Sequence, residues 1–328
     1  MKFIILFAVL TAAVLADRVE LPRGEYSRYI EFPDGDGNLH LVDLEAEPDW
    51  GFLNQLSRNP ANNLYLLFTR SNPTNSQVLE VNNAQSVQRS NFNPGLPTVV
   101  VAHGWLSNQN TGLNAAIRDA YLAKYNGNVI ILDWRRLAIK DYVTAVFGVP
   151  AVGRALGQFL YFLHLQFGAR LEDMHLVGFS LGAHLVGNAG RQLNGRVGRV
   201  TGLDPAGPLW NLNSNSLRQS DGIYVEGVHT NGGLVGLGIG SDSGHADFYV
   251  NGGNAQPGCL TPVCSHNRAW DVFAATVANN HLVGKKCSNT LQVTMNTCKG
   301  SEHRMGNGEL NKWGTGSYRV NTGKKYPF

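Results

Sequence analysis

The chain has 328 residues, 43% of them apolar and 16% charged, with a formal net charge of +3. That length and apolar content suffice for one large α/β domain and leave little room for a second. The small, dispersed positive charge excludes the dense basic surface of a nucleic-acid binder, and beyond the first segment no run reaches the roughly 18 to 20 uninterrupted apolar residues of a spanning helix.

In chain order, Lys2, an apolar run over 3–10 and small residues ending in Val14-Leu15-Ala16 before Asp17 have the pattern of a cleaved signal peptide, 1–16, which predicts a secreted, extracellular product. Residues 17–60 are rich in Asp, Glu, Pro and Gly, lack a clear period, and are expected to form an N-terminal extension or a pro-segment. Residues 61–328 form the main domain. Within it, short apolar β-branched runs alternate with longer amphipathic stretches, the pattern of a mostly parallel central sheet with helices on both faces. The predicted strands are 98–102, 129–133, 174–178, 200–203 and 223–228, each of the continuous apolar kind buried on both sides. The predicted helices are 112–124, 152–167, 181–193 and 267–280. The apolar stretch 142–165 is broken by Pro150, Arg154, Gln158 and His164, and reads as buried core, not as an anchor.

The sharpest motif is Gly178-Phe179-Ser180-Leu181-Gly182, preceded by a strand and followed by a helix. A serine on so tight a turn projects its hydroxyl outward, and the flanking glycines let strand and helix approach without a Cβ between them. It also stands at a helix N-terminus, where N–H groups favour developing negative charge. A hydroxyl is a weak nucleophile near neutral pH, so a histidine must take its proton and a carboxylate must orient that histidine; in this fold the order is serine, acid, histidine. Asp204 ends the run Val200-Thr201-Gly202-Leu203 ahead of Pro205, at the C-terminal end of a strand where such sheets present reactive groups. Asp221, Asp242, Asp247 and Asp271 compete with it. Among the histidines that follow, His229, His245, His266, His281 and His303, order alone does not choose, and local context favours His266, two residues after Cys264 and just before a helical segment. The oxyanion donors are expected to be the backbone N–H groups of Leu181 and of Trp105, in the turn His103-Gly104-Trp105 after strand 98–102.

The four cysteines, Cys259, Cys264, Cys287 and Cys298, are expected to form two disulfides in an exported chain. Three connectivities are possible, and neighbour pairing, Cys259 to Cys264 and Cys287 to Cys298, is the expectation. Cys259, Cys264 and His266 could instead hold zinc, but a fourth ligand at suitable spacing is missing. No metal or other cofactor is expected.

From about Asn63 onward the chain resembles the animal pancreatic-lipase family, and within it the insect neutral-lipase members. The resemblance runs through His103-Gly104-Trp105, Asp133-Trp134, Gly178 to His184, Gly202-Leu203-Asp204-Pro205-Ala206, His229-Thr230, Gly244-His245-Ala246-Asp247-Phe248, Asn251-Gly252-Gly253 and Cys264-Ser265-His266. It implies an α/β-hydrolase fold, Ser180 as nucleophile, Asp204 as acid, His266 as base, and Trp105 and Leu181 as oxyanion donors. Members that act on triacylglycerol close the site with a long lid between bridged cysteines, whereas here only Leu260-Thr261-Pro262-Val263 separate Cys259 from Cys264. The segment between His229 and Gly244 is also short and glycine-rich, and both truncations resemble the phospholipase A1 members. The resemblance therefore implies a secreted lipid acyl-ester hydrolase with an open site, phospholipase A1-like or a triacylglycerol lipase with a truncated lid, meeting its lipid ester at an interface. The chain ends at Phe328 without the family's C-terminal β-sandwich, so no colipase partner is expected. The alternatives are a non-catalytic lipid-binding protein of the yolk-storage type, which loses the nucleophile, and a short-chain carboxylesterase.

Overall fold

A computed structural model describes residues 26–58, 63–233 and 236–328. The expected signal peptide at 1–16 lies outside the described residues. The first elements are a hairpin of β1 (Tyr29–Pro33) antiparallel to β2 (Leu39–Asp43), then helix α1 (Trp50–Arg58). Its turn is held by Asp34, whose carboxylate accepts from the backbone N–H of Asp36 and of Asn38. Phe32, Val42, Leu44 and Leu56 of this region are buried in the main core. The described part of the stretch expected as an N-terminal extension or pro-segment thus forms a hairpin and a helix packed on the main core; the strands are too short and too rich in turn residues to show a period.

The chain continues through β3 (Leu64–Phe68), β4 (Gln77–Leu79), α2 (Ala84–Gln88), β5 (Thr98–Ala102), α3 (Gly112–Lys124), β6 (Asn128–Asp133), α4 (Arg135–Ala138) and α5 (Tyr142–Phe167). There follow β7 (Met174–Phe179), α6 (Leu181–Gln192), β8 (Arg199–Leu203), β9 (Tyr224–His229), β10 (Ala246–Val250), α7 (Pro262–Asn279), β11 (Val283–Lys286), α8 (Thr290–Met295), β12 (Glu302–Arg304) and β13 (Gly316–Val320). Apart from the hairpin, the strands form one 11-stranded sheet in the order β12-β11-β13-β10-β9-β8-β7-β5-β6-β3-β4. Its centre, from β6 to β13, is parallel, and β3–β4 and β11–β12 are added antiparallel at the two edges. The α/β-hydrolase architecture expected from the sequence is thus present.

Strand β5 shows why the central strands are mostly apolar. Val100 and Ala102 join the core under α5 and α6, while Val99 and Val101 join the core under α3 and α7. With side chains alternating between two covered faces, apolar residues fit at most positions, and the few polar ones, such as Thr98, are buried with them. Helix α5 is longer than the predicted 152–167: Pro150 lies inside it, and the helix begins at Tyr142, where Asp141 accepts from the Thr144 N–H at 2.8 Å. It is long and apolar enough to cross a membrane by length and composition, but its apolar face is in the core. Two glycines set how closely it meets α6: a Cβ on Gly153 would come within 2.6 Å of Asn188 Cβ and Leu185 O, and one on Gly157 within 2.6 Å of Gln192 Cβ.

The registers bring the ends of the central strands level. Ala102 pairs with Gly178, Phe179 with Leu203, and Leu203 with Val228. The residues that follow β5, β7, β8 and β9 therefore emerge at one rim of the sheet.

Candidate active site

Ser180 links β7 directly to α6 and is the residue before the helix, with φ 56° and ψ −122°. Few side chains other than glycine adopt a positive φ, so this backbone is strained, and the surrounding structure must hold it. It is held by the Ser180 N–H donating to Leu203 O at 3.0 Å and by the Ala206 N–H donating to Ser180 O at 3.3 Å. The flanking glycines are needed for space: a Cβ on Gly178 would come within 2.1 Å of Gly182 O, and one on Gly182 within 2.4 Å of His103 O.

The turn after β5 passes alongside. A Cβ built on Gly104 would lie 3.2 Å from Ser180 Cβ, so His103-Gly104-Trp105 runs against the serine. His103 braces this turn, its Nδ1 donating to Gly104 O at 3.0 Å and its Nε2 standing 3.4 Å from Asp133 Oδ1, while the Trp134 indole donates to His103 O at 3.0 Å. Asp133 lies beside them, its carboxyl held well below the usual range: burial opposes ionisation, but hydrogen bonds from His103 and Arg135 outweigh it. Trp105 is pinned by its own indole N–H donating to Lys140 O at 2.8 Å. Leu181 is the first residue of α6, and its N–H is among the helix-start donors without an intrahelical acceptor.

Asp204 follows β8 and is fully buried. One carboxylate oxygen accepts from the backbone N–H groups of Thr230 at 2.7 Å and Asn231 at 2.9 Å; the other faces His266 Nδ1 at 2.5 Å. The carboxyl has little slack, because a Cβ on Gly238 would come within 2.6 Å of its three atoms. His266 lies in the first turns of α7, which starts at Pro262, earlier than the predicted 267, with Thr261 capping it through the Cys264 N–H. Its ring packs at 4.6 Å on Phe179, the residue before Ser180. Among the described residues neither His266 Nε2 nor Ser180 Oγ has a hydrogen-bond partner, although both atoms are buried.

The competitors are engaged elsewhere. Asp221 holds Arg191, Asp242 accepts from Tyr249 and Ser317, Asp271 faces Arg268, and Asp247 pairs with His229. His245 accepts the Val225 N–H, His281 donates to Pro327 O, and His303 meets the Tyr224 hydroxyl. The two disulfides are Cys259–Cys264 and Cys287–Cys298, as expected, and the first ties down the start of α7. Its sulfurs are therefore not free thiolates for a metal.

Ser180 is 2% exposed and His266 1%. The short loop between Cys259 and Cys264 runs straight into α7 and is no cover, but hairpin β1–β2 comes over the site from the other end of the chain. Phe32 stands 6.0 Å from the His266 ring, 5.9 Å from Trp105 and 4.8 Å from Tyr142, and the Tyr26 hydroxyl donates to Gly236 O at 2.8 Å. Nothing in the local sequence around Phe32 signals this; only the fold brings it there.

The arrangement is suited to activating a hydroxyl. A histidine with one nitrogen on a carboxylate and the other without a partner among the described residues, packed on the ring that precedes a serine of strained backbone, could take a proton from a hydroxyl. A family model described as Lipase matches residues 52–328. The chain is 34% identical over 228 residues to pancreatic lipase-related protein 2 of Homo sapiens, covering 66% of this chain and 49% of that protein. It is 36% identical over 238 residues to phospholipase A1 member A of Bos taurus, covering 69% of this chain and 51% of that protein. With pancreatic triacylglycerol lipase of Myocastor coypus it shares 32% over 236 residues, covering 69% and 51%. The chain spans about half the length of the curated relatives it matches.

Proposed function

The chain belongs to the lipase family, and on that premise we propose that it hydrolyses acyl esters of lipids with Ser180 as nucleophile, His266 as base and Asp204 as the acid that orients it. The observation that carries this reading is the His266 ring, saturated at Nδ1 by Asp204 and unpartnered at Nε2 in a buried rim that also holds the Ser180 hydroxyl. Ser180 Oγ attacks the ester carbonyl as His266 Nε2 takes its proton. The carbonyl oxygen becomes an oxyanion received by the N–H groups of Leu181 and Trp105. As the tetrahedral centre collapses, the ester C–O bond breaks and His266 returns the proton to the departing alcohol. Water then repeats the sequence on the acyl-enzyme, releasing a fatty acid and restoring the serine.

Phospholipids or galactolipids cleaved at sn-1 are the favoured substrates over triacylglycerols. The support is the short, disulfide-closed loop over 260–263 and the similarity to a phospholipase A1 as well as to a triacylglycerol lipase. The leader-like pattern of residues 1–16 supports export, and the two disulfides suit an oxidising compartment. A carrier protein would gain nothing from a strained serine beside a carboxylate-bound histidine.

The test is covalent labelling with a fluorophosphonate, together with Ser180→Ala. Labelling at Ser180 and a fall in turnover of about a thousandfold or more with the fold retained are expected. A full rate in the alanine variant refutes the mechanism. Positional analysis of products from mixed phospholipid and triacylglycerol substrates decides the lipid class.

A further inference from the structure

Behind Asp204 lies a second histidine–carboxylate pair that the mechanism above does not use. His229, the last residue of β9, is fully buried; its Nδ1 is 3.0 Å from Ile239 O and its Nε2 is 2.8 Å from Asp247 Oδ1. Asp247 also accepts from the N–H and hydroxyl of Ser243 and from the Gly244 N–H, so its carboxylate is surrounded by donors. Ile239 O and the Asp247 carboxylate are both acceptors, a setting that favours the doubly protonated, positively charged ring of His229. Burial disfavours that charge, but the hydrogen bond and charge of Asp247, with a further contribution from Asp204, raise its pKa above the ordinary value. Room for the pair is built into the neighbouring position: a Cβ on Gly227 would lie 2.4 Å from Asp247 Oδ1 and 2.7 Å from His229 Nε2. The ring also stacks on Tyr249 at 4.7 Å.

The position of this pair gives it a task. The two residues after His229 are Thr230 and Asn231, whose amides both donate to Asp204. The loop they open returns to His229 through Ile239 O and carries Gly238, which packs against the Asp204 carboxyl. We propose that the His229–Asp247 pair is a positioning device: it fastens the end of β9 to Ile239 so that the amides of Thr230 and Asn231, together with Gly238, hold Asp204, and through it His266, in the reactive orientation. The proposal rests on the serine mechanism above. His266 has a single charged neighbour in hydrogen-bond contact, Asp204; Arg268, two residues on, faces Asp271 and the Phe328 ring. His229 is faced by Asp247 and Tyr249 from β10, by Ile239 O from the loop, and by Asp204 from the end of β8.

The chemistry fixes the sign of the effect. Removing the buried cation and slackening the two amides leaves Asp204 with more negative charge to spend on His266, which favours the protonated imidazole. The acid limb of kcat/KM, which reports His266, then moves to higher pH. The experiment compares wild type with His229→Gln and Asp247→Asn, using rates normalised to the number of serines titrated by a fluorophosphonate. We expect each variant to lose about tenfold or more in kcat per titrated serine, with KM within about threefold, and His229→Gln, which removes the cation and leaves Asp247, to shift the acid limb upward. An unchanged kcat per titrated serine overturns the proposal; so does a fall in kcat with the limb unmoved, which marks a merely structural role. Should His229→Gln fail to fold, Asp247→Asn carries the kcat-against-KM part of the test with smaller steric change. Failure of the serine reading is separate: wild type itself would then not be labelled.

Discussion

His184, in the first turns of α6, has its protonation settled by its neighbours. Nδ1 accepts the Leu217 N–H at 3.1 Å and Nε2 donates to Ala206 O at 2.9 Å, while the ring stacks on Trp210 at 4.0 Å. One nitrogen must accept and the other donate, so the ring is neutral, and burial pushes its pKa down to about 3. The unfolded chain, with an ordinary histidine near 6.5, binds more protons than the folded one between those values. Stability contributed by the neutral ring is therefore complete above about 6.5 and is lost as pH falls toward 3, amounting to about 2 kcal/mol at pH 5. Urea unfolding at pH 7 and pH 5 checks this: His184→Gln is expected to be less stable at pH 7 and to lose less between the two. An identical loss in both proteins would refute it. At this scale the sequence is legible where chemistry needs a local backbone. Ser180 shows in its flanking glycines and Asp204 in its place between an apolar run and a proline. Which of five histidines meets Asp204 is a matter of pairing over 62 positions, and no local pattern carries that information. The same holds for His229 and Asp247, competitors in sequence that are partners in space.

At the scale of elements, the central parallel strands are legible because burial on both faces favours runs of apolar residues, and the edges are not. Strands β11 and β12 carry lysine, arginine and histidine on half-exposed positions, and no alternation survives in three or four residues. Pro150 hides the first turns of α5, and Thr261-Pro262 begins α7 within what reads as a cysteine loop. The hairpin is the element most thoroughly concealed, and it has the largest consequence for the candidate site. If it is part of the domain and not a removable pro-segment, its buried and exposed faces differ sharply in worth. Phe32→Ala deletes a fully buried ring against Trp105 and Tyr142 and is expected to cost about 3 to 5 kcal/mol. Leu41→Ala, on the same hairpin but 74% exposed, is expected to change stability by less than about 0.5 kcal/mol. Denaturant midpoints for the two variants decide between an integral strap and a passenger; equal, small effects would mean the hairpin contributes nothing to the folded domain.

Across the whole molecule the sheet has two unlike rims. The C-terminal ends of β5, β7 and β8 lead to strained backbone and unpartnered polar atoms, while toward the N-terminal ends of β8 and β9 lies a fully buried ion cluster. There Glu226 receives Arg199 at 2.6 Å through one oxygen and Lys312 at 2.6 Å through the other. Arg199 also donates to the carbonyls of Gly306, Asn307 and Glu309, and Lys312 to those of Arg304 and Gly306, so the cluster fastens the segment between β12 and β13 under the sheet. Burial would raise the Glu226 carboxyl, but the two cations hold it below the ordinary carboxylate range. Replacing it by glutamine leaves two buried cations facing an amide, a state that breaking a buried pair makes expensive even where the intact pair adds little. Glu226→Gln is therefore expected to lose about 3 to 5 kcal/mol, and Glu226→Gln with Lys312→Met to recover part of it, because one of the stranded charges is gone. Since the cluster touches none of Ser180, Asp204 or His266, turnover per fluorophosphonate-titrated serine should match wild type in both variants wherever they remain folded. Urea denaturation combined with that titration separates the two properties. A double variant less stable than the single one would show that Lys312 fastens the segment through its carbonyl bonds more than it burdens the core with charge.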